Sequence, residues 1–285
     1  MTGSRPRTLT MAVAPVVVGA SLAVLEGASI SWGVLLLTAV CAVLIQAGTN
    51  LLNDVSDFES GNDRPDRVGP VRITAAGWAT PREVRQVAAV AFGLALVVGS
   101  ALVAIGGLTI LAVGLLSIVA GWAYSGGARP ISHGAFGELF VLLFFGVVAV
   151  CGTYYLQAGH GSVTALLAGL AMGSMASAVL LLNNYRDLAA DARAGRRTLA
   201  AVLGPARSRV AYAVFLLLPL AVPAWLSLRH PAHPTAMLAW LCAPLFVDLI
   251  VKMRRLQGPA LNTVLGRTAL AQLTFGFLLA LGVAI

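Results

Sequence analysis

The sequence predicts an all-α integral membrane bundle of nine transmembrane helices with a cytoplasmic N-terminus, and three observations predict it. Of 285 residues, 59% are hydrophobic and only 11% are charged, with a mean hydropathy of +0.88; a soluble domain carries about 25% charged residues. Runs of about twenty apolar residues, the length that crosses a hydrocarbon core as a helix, recur at roughly 9–25, 32–52, 84–105, 107–124, 138–157, 163–183, 208–228, 235–251 and 266–285. Basic residues fall almost wholly on one side of these spans. Strand-length alternation is absent, which excludes a membrane β-barrel and leaves a helical bundle.

Taken in order, the first run follows Arg5 and Arg7 and has the look of a signal peptide. Eight further spans in register after it favour an uncleaved first helix. The second run ends in Asn-rich, acidic sequence. The third and fourth meet at Gly106–Gly107, and the fourth ends at Tyr124. The loop YSGGARPISHGAFGELF then leads into the fifth, whose Gly126, Gly127 and Pro130 call for a tight non-helical turn. His133 in this loop reads as solvent-facing and Glu138 as a helix-start residue. The aromatic residues after it, Phe140, Phe144, Phe145, Tyr154 and Tyr155, read mainly as packing. The sixth run carries Gly169 and Gly173, spaced for close helix packing, and ends in a second acidic stretch. The eighth contains Asp248, four residues before Lys252 and so able to pair with it. Nothing remains for a separate soluble domain, so residues 1–285 form a single membrane-embedded domain.

With nine spans, the N-terminus and the even-to-odd loops share one face. Counting helix ends, that face collects eighteen of the nineteen basic residues, only Arg229 lying opposite. Such a bias marks it as cytoplasmic, and the protein is expected to be multi-pass in the cell's inner (plasma) membrane. The net charge of +8 then reflects topology and an anionic ligand, not nucleic acid. Cys41, Cys151 and Cys242 lie in separate apolar runs without CxxC spacing and read as small buried residues. His160, His230 and His233 read as surface residues without a third metal ligand.

Seven of the eleven acidic residues fall in two short stretches. The first, NLLNDVSDFESGNDRPDRVGPVR, holds Asn50, Asn53, Asp54, Asp57 and Asp63. The second, LLNNYRDLAADARAGRRTLA, holds Asn183, Asn184, Asp187 and Asp191. Residues 50, 54 and 57, and likewise 53 and 57, share a helical face; Asp187 and Asp191 repeat the four-residue spacing. Each stretch closes a helix, the second run and the sixth, as two four-helix units with one acidic motif apiece would place them. An unpaired acid at helix-centre depth costs ~2.5–3.5 kcal/mol, so such a cluster persists with cations. Ordinary solvated surface acids are the plainer reading, but these lie at helix ends and alternate with Asn, not Lys. Oxygen donors without His or Cys suit a hard divalent cation, Mg²⁺ first and Mn²⁺ second. Arg64, Arg67, Arg72, Arg193, Arg196 and Arg197 intersperse the acids. Cation plus guanidinium is a common means of holding a diphosphate, and Arg67, Arg72, Arg196 and Arg197 are the candidates for that role.

A transporter would place its polar residues near the bilayer midplane, whereas these gather at one face. The DG-containing spacing of CDP-alcohol phosphotransferases is absent.

The strings NDVSDFESGNDRPDRVGPVR and NNYRDLAADARAGRRTLA resemble the membrane-embedded aromatic prenyltransferases of the UbiA superfamily. The YSGGARPISHGAFGELF loop and the opening RPRTLTMAVAPVVVG are similar to its naphthoate-using branch. The resemblance spans essentially the whole chain. Two departures stand out: Gly61 occupies the place of a further acid in the wider superfamily, with Asp63 taking that role, and Arg196 stands where Lys is common. What the resemblance implies is a UbiA-like bundle around a cavity open to lipid. Asp54, Asp57, Asp63, Asp187 and Asp191 would hold Mg²⁺ and act in catalysis. Asn50, Asn53, Arg67, Arg72, Tyr124, Asn183, Asn184, Arg196 and Arg197 would bind substrate. The implied donor is an allylic polyprenyl diphosphate and the implied acceptor 1,4-dihydroxy-2-naphthoate, giving demethylmenaquinone with loss of diphosphate and CO₂. A different acceptor, such as 4-hydroxybenzoate, homogentisate or haem, is the nearest alternative.

Overall fold

The computed structural model describes residues 6–61, 69, 72–127 and 130–285, with side chains from residue 11 onward. Asp63, Arg64 and Arg67 lie outside the described residues, as do Arg5 and Arg129. The described residues build helices α1 (Pro6–Leu25), α2 (Trp32–Glu59), α3 (Pro81–Ser125), α4 (Gly137–Ala158) and α5 (Val163–Arg186). A short α6 (Leu188–Arg193) follows, then α7 (Leu199–Arg229), α8 (Pro234–Arg255) and α9 (Gly258–Ala284). Among the described residues seven helices are long and apolar enough to cross a membrane, and α1 contributes the shorter apolar stretch Met11–Leu25. The expectation of an all-helical membrane protein is met.

The expected spans 84–105 and 107–124 are one 45-residue helix by hydrogen bonding, but Gly107 breaks it with φ 64° and ψ −153°. That left-handed φ suits glycine alone. Phe92 and Gly121, on either side of the break, both lie against the Ile45–Thr49 turn of α2; a straight helix would hold them about 40 Å apart. The chain therefore doubles back at Gly106–Gly107, as the paired glycines in the sequence predict, and α3 is a helical hairpin. Its start is secured by a capping box, Thr80 accepting from the Glu83 amide while the Glu83 carboxylate accepts from the Thr80 amide at 2.7 Å.

Helix α5 is the centre. Of its most apolar window 78% is buried inside the bundle, against 11% for α3, so α3 lies at the lipid-facing edge. Met172, Met175, Leu181 and Leu182 of α5 pack with Tyr212 and Leu216 of α7, Phe246 of α8, and Phe275 and Leu279 of α9. Gly169 and Gly173 bring α5 onto α4: a Cβ on Gly146 would lie 2.3 Å from the Gly169 carbonyl and 2.4 Å from the Gly173 Cα. The close helix packing expected of that pair is present. Opposite it, α4 widens into a π-helical segment, Leu143–Val148, which carries Phe144 and Phe145 into the lining of a cavity.

That cavity has a volume of about 1040 Å³ and lies between α1, α2, the α3 hairpin, α4, α5 and α9. Its floor is apolar, with Leu102, Ile110 and Leu156 near the hairpin turn; its mouth carries Asn50, Asn53, Tyr124, Asn183 and Asn262.

Candidate active site

Helix α2 runs to Glu59, past the point where the hydropathy falls, so Asn50, Asn53, Asp54 and Asp57 are helical and not in a loop. Their position is electrostatically costly. A helix C-terminus carries partial negative charge and favours cations, yet Asp54 and Asp57 are both buried there, at 6% and 2% exposure. Each is compensated, and in different ways.

Asp57 meets two arginines. Arg72 pairs with its Oδ2 and Arg196 with its Oδ1. Arg72 also donates to the Asn53 carbonyl at 2.8 Å, and Arg196 to the Ser60 hydroxyl at 3.1 Å. The Asp54 carboxylate instead accepts from the backbone: from the Ile73 amide at 3.1 Å, the Thr74 amide at 3.1 Å and the Thr74 hydroxyl. It thus caps the turn that follows Arg72, where the amides of Ala76, Gly77 and Trp78 bond back to Arg72, Thr74 and Ile73.

The second cluster comes to the same place. Helix α5 stops at Arg186, with Asp187 at its C-cap. After α6, Gly195 at φ 69° reverses the chain, so that the Arg196 amide bonds the Asp191 carbonyl at 2.9 Å. The Arg196 guanidinium then lies between Asp57 and Asp191, 3.8 Å from the latter. Asp191 is buried at 3% exposure. Burial pushes its carboxyl up to about 6; Arg196 opposes this, while the charges of Asp187 and Asp57 add to it. His133 lies on the same surface: burial and then the Arg196 charge hold its imidazole below its usual range, with Asp57 opposing. Its carbonyl accepts from the Arg197 amide at 2.9 Å.

Of the residues singled out in the sequence, Asp54, Asp57, Arg72, Asp187, Asp191 and Arg196 are gathered at this end of the bundle. Asn50, Asn53, Tyr124 and Asn183 line the cavity beside them, and Tyr124 stacks at 5.6 Å on Phe140. Asn184 turns the other way and donates to Glu138 at 2.9 Å. The Arg197 side chain is exposed. Asp63 and Arg67 lie outside the described residues.

Three contributors escaped sequence reading. Arg186 grips Asp187 through both oxygens, at 2.8 and 2.6 Å, and also donates to Asn183 at 3.0 Å and Asn262 at 2.6 Å. Its neighbour Asp187 and its i, i+3 relation to Asn183 were the available signal. Asn262 opens α9 far along the chain and carries none. Glu138 stands in the first turn of α4 as expected, but at 2% exposure it is also the buried partner of Asn184. Asp248 pairs with Lys252 at 2.9 Å as its spacing predicts, and with Arg267 at 2.8 Å besides.

The donor set is oxygen only, and the charges of Asp187 and Asp57 add to the cost of ionising Asp191, a chemistry that fits a hard divalent cation. Among the described residues no three acidic or imidazole groups converge at metal-holding distance; Arg196 stands between Asp57 and Asp191, and Arg72 against Asp57.

Paired acids and arginines over an apolar cavity can hold the anionic head and the hydrocarbon body of one amphiphile. Over 212 residues the chain is 43% identical to the 1,4-dihydroxy-2-naphthoate octaprenyltransferase of Mycobacterium tuberculosis, covering 74% of this chain and 72% of that one. Over 287 residues it is 36% identical to the Escherichia coli enzyme of the same name, covering 98% and 92%. Its fold superposes on a UbiA homologue from Archaeoglobus fulgidus bound to DMAPP and Mg²⁺ with a TM-score of 0.65, at 15% identity over 96% of each chain. Residues 12–263 match the UbiA prenyltransferase family, and to that family of membrane enzymes the chain belongs.

Proposed function

We propose that the protein transfers a polyprenyl group from an allylic polyprenyl diphosphate to 1,4-dihydroxy-2-naphthoate, releasing diphosphate and CO₂. The product is demethylmenaquinone in its reduced quinol form. The observation that carries the reading is the convergence of Arg72 and Arg196 on Asp57, with Asp191 alongside, at the polar mouth of an apolar cavity. The mycobacterial and E. coli relatives named for this reaction support the choice of acceptor over 4-hydroxybenzoate.

The leaving diphosphate gains negative charge as the allylic C–O bond breaks. Donors aimed at that charge stabilise the transition state more than the ground state, and Arg72 and Arg196 are forked donors suited to it. Asp57, Asp187 and Asp191, with Asp63 and Asp54 as further candidates, would hold Mg²⁺, which supplies Lewis-acid stabilisation of the diphosphate when bound. The electron pair of the C–O bond leaves with diphosphate, and the allylic cation needs a site without water. The cavity lining of Phe140, Phe144, Phe145 and Tyr124 offers that, with ring faces that favour a cation. The ring carbon bearing the carboxylate attacks. Loss of CO₂ then returns its bonding pair to the ring and restores aromaticity.

This reading places nine crossings in the membrane, α3 counting as two, with the N-terminus and the arginine-rich site on the cytoplasmic side of the inner membrane. The test is product formation by purified protein in nanodiscs, with 1,4-dihydroxy-2-naphthoate or 4-hydroxybenzoate as acceptor, in Mg²⁺ and in EDTA. Cation-dependent prenylation of the naphthoate with CO₂ release, lost in Asp57→Asn and Asp191→Asn, is the expected result. Prenylation of the benzoate alone would move the enzyme to another acceptor; turnover of neither would overturn the reading.

A further inference from the structure

Gln46 is a buried polar residue of the cavity that this chemistry leaves unused. It sits on α2 one turn below Asn50, is 7% exposed and lines the cavity. Its Nε2 donates to Asn50 Oδ1 at 3.4 Å, while its Oε1 is buried without a protein partner. The cavity lining is mostly apolar, with Ala42 and Ile45 beside Gln46 on its own helix. An amide oxygen left unsatisfied in such a place carries a desolvation penalty that a hydrocarbon side chain would avoid. It marks where a ligand donor belongs.

The donor must come from the acceptor. A polyprenyl chain has no hydrogen-bond donor, and a diphosphate offers only acceptor oxygens. At 1.5 Å per residue Gln46 also lies about 16 Å along the helix from Asp57, out of reach of the diphosphate. A ring hydroxyl fits. We propose that Gln46 is a specificity-determining residue whose Oε1 accepts a hydrogen bond from a phenolic hydroxyl of the aromatic acceptor. This selects hydroxylated rings over bare ones and orients the ring under the donor. The inference rests on the acceptor class proposed above.

The test uses the intrinsic fluorescence of naphthoates to measure binding to purified protein in nanodiscs. The ligands are 1,4-dihydroxy-2-naphthoate, 1-hydroxy-2-naphthoate, 4-hydroxy-2-naphthoate and 2-naphthoate. Wild-type protein should bind the diol about ten- to a hundred-fold more tightly than the analogue lacking the contacted hydroxyl, the effect of leaving one buried acceptor unpaired. Gln46→Met, which keeps the length of the side chain, should erase that ratio while leaving the KM for the prenyl diphosphate unchanged. Equal weakening of all four ligands by Gln46→Met would show a purely structural role and overturn the proposal. So would a wild type indifferent to both hydroxyls, an arm that needs no variant to fold. Naphthoate turnover with an unaltered Gln46→Met defeats this inference alone. Absence of any naphthoate binding or turnover by wild-type protein defeats the acceptor assignment and the inference with it.

Discussion

Arg196 and Asp57 form an ion pair across a separation of 139 residues, and through it the two acidic stretches become one site. Both side chains are almost wholly buried, at 8% and 3% exposure. On the function proposed above, a diphosphate entering the mouth would compete with Asp57 for this guanidinium and for that of Arg72. Arg196→Met is therefore expected to lower kcat/KM by about 10²–10³, the range for losing one donor to a developing oxyanion. Arg196→Lys keeps the charge without the planar fork and should fall between. Steady-state kinetics with varied prenyl diphosphate checks both; wild-type rates in Arg196→Met would remove Arg196 from the diphosphate site.

Asp54 and Asp57, one turn apart, should respond differently to the same change. Asp54 accepts on both oxygens from Ile73 and Thr74, so its loss loosens the turn that carries Arg72. Asp54→Asn and Thr74→Val should each speed hydrogen exchange at the Ile73 and Thr74 amides and raise the KM for the diphosphate. The double variant should be little worse than either, the mark of one shared interaction. Asp57→Asn should abolish turnover and leave that exchange unchanged. Full additivity of the Asp54 and Thr74 variants would count against the clasp.

Asp191 gives the site a pH dependence with a defined sign. Its carboxyl ordinarily titrates at 3.8 and is raised to about 6, first by burial and further by Asp187 and Asp57. Between these values the folded, metal-free protein holds a proton that the unfolded chain does not, so this group adds stability as pH falls from about 6 toward 4 and withdraws it as pH rises. Divalent-cation affinity runs the opposite way, because a proton on Asp191 competes with the cation. Mn²⁺ binding followed by electron paramagnetic resonance should weaken about tenfold per pH unit below about 6 and be level above it. A flat profile from pH 5 to 7 would take Asp191 out of the cation site.

The bundle was legible in the sequence because lipid forces it: apolar length, loop charge and helix-end acids are local signals that the membrane makes obligatory. The two motifs were legible for the same reason, since Asp57 and Asp191 stand out where acids are rare. What escaped was tertiary. The hydropathy profile ends α2 near residue 52, yet the helix runs on to Glu59 because Arg72 and Arg196, from distant loops, neutralise its acids. Asn183 and Asn184 are indistinguishable as a dipeptide, and only the helix phase sends one to the cavity and the other to Glu138. Arg186 was passed over because the positive-inside rule already accounts for an arginine at a helix end on the basic face.

Arg186 is nevertheless the residue whose loss should be felt most in stability. Its guanidinium is 1% exposed and ties the end of α5 to Asp187, Asn183 and the start of α9 through Asn262. Removing it leaves Asp187, 15% exposed, without this cation, and takes one donor from each of two amides that line the cavity. Breaking a fully buried pair costs about 3–5 kcal/mol, and the partial exposure of Asp187 brings the expectation for Arg186→Met toward about 3 kcal/mol. Adding Asp187→Asn should recover part of that, since the acid is no longer left unpaired. Thermal unfolding of the two single variants and the double variant in one detergent tests the idea. A double variant less stable than Arg186→Met would mean that Asp187 is held by something other than Arg186.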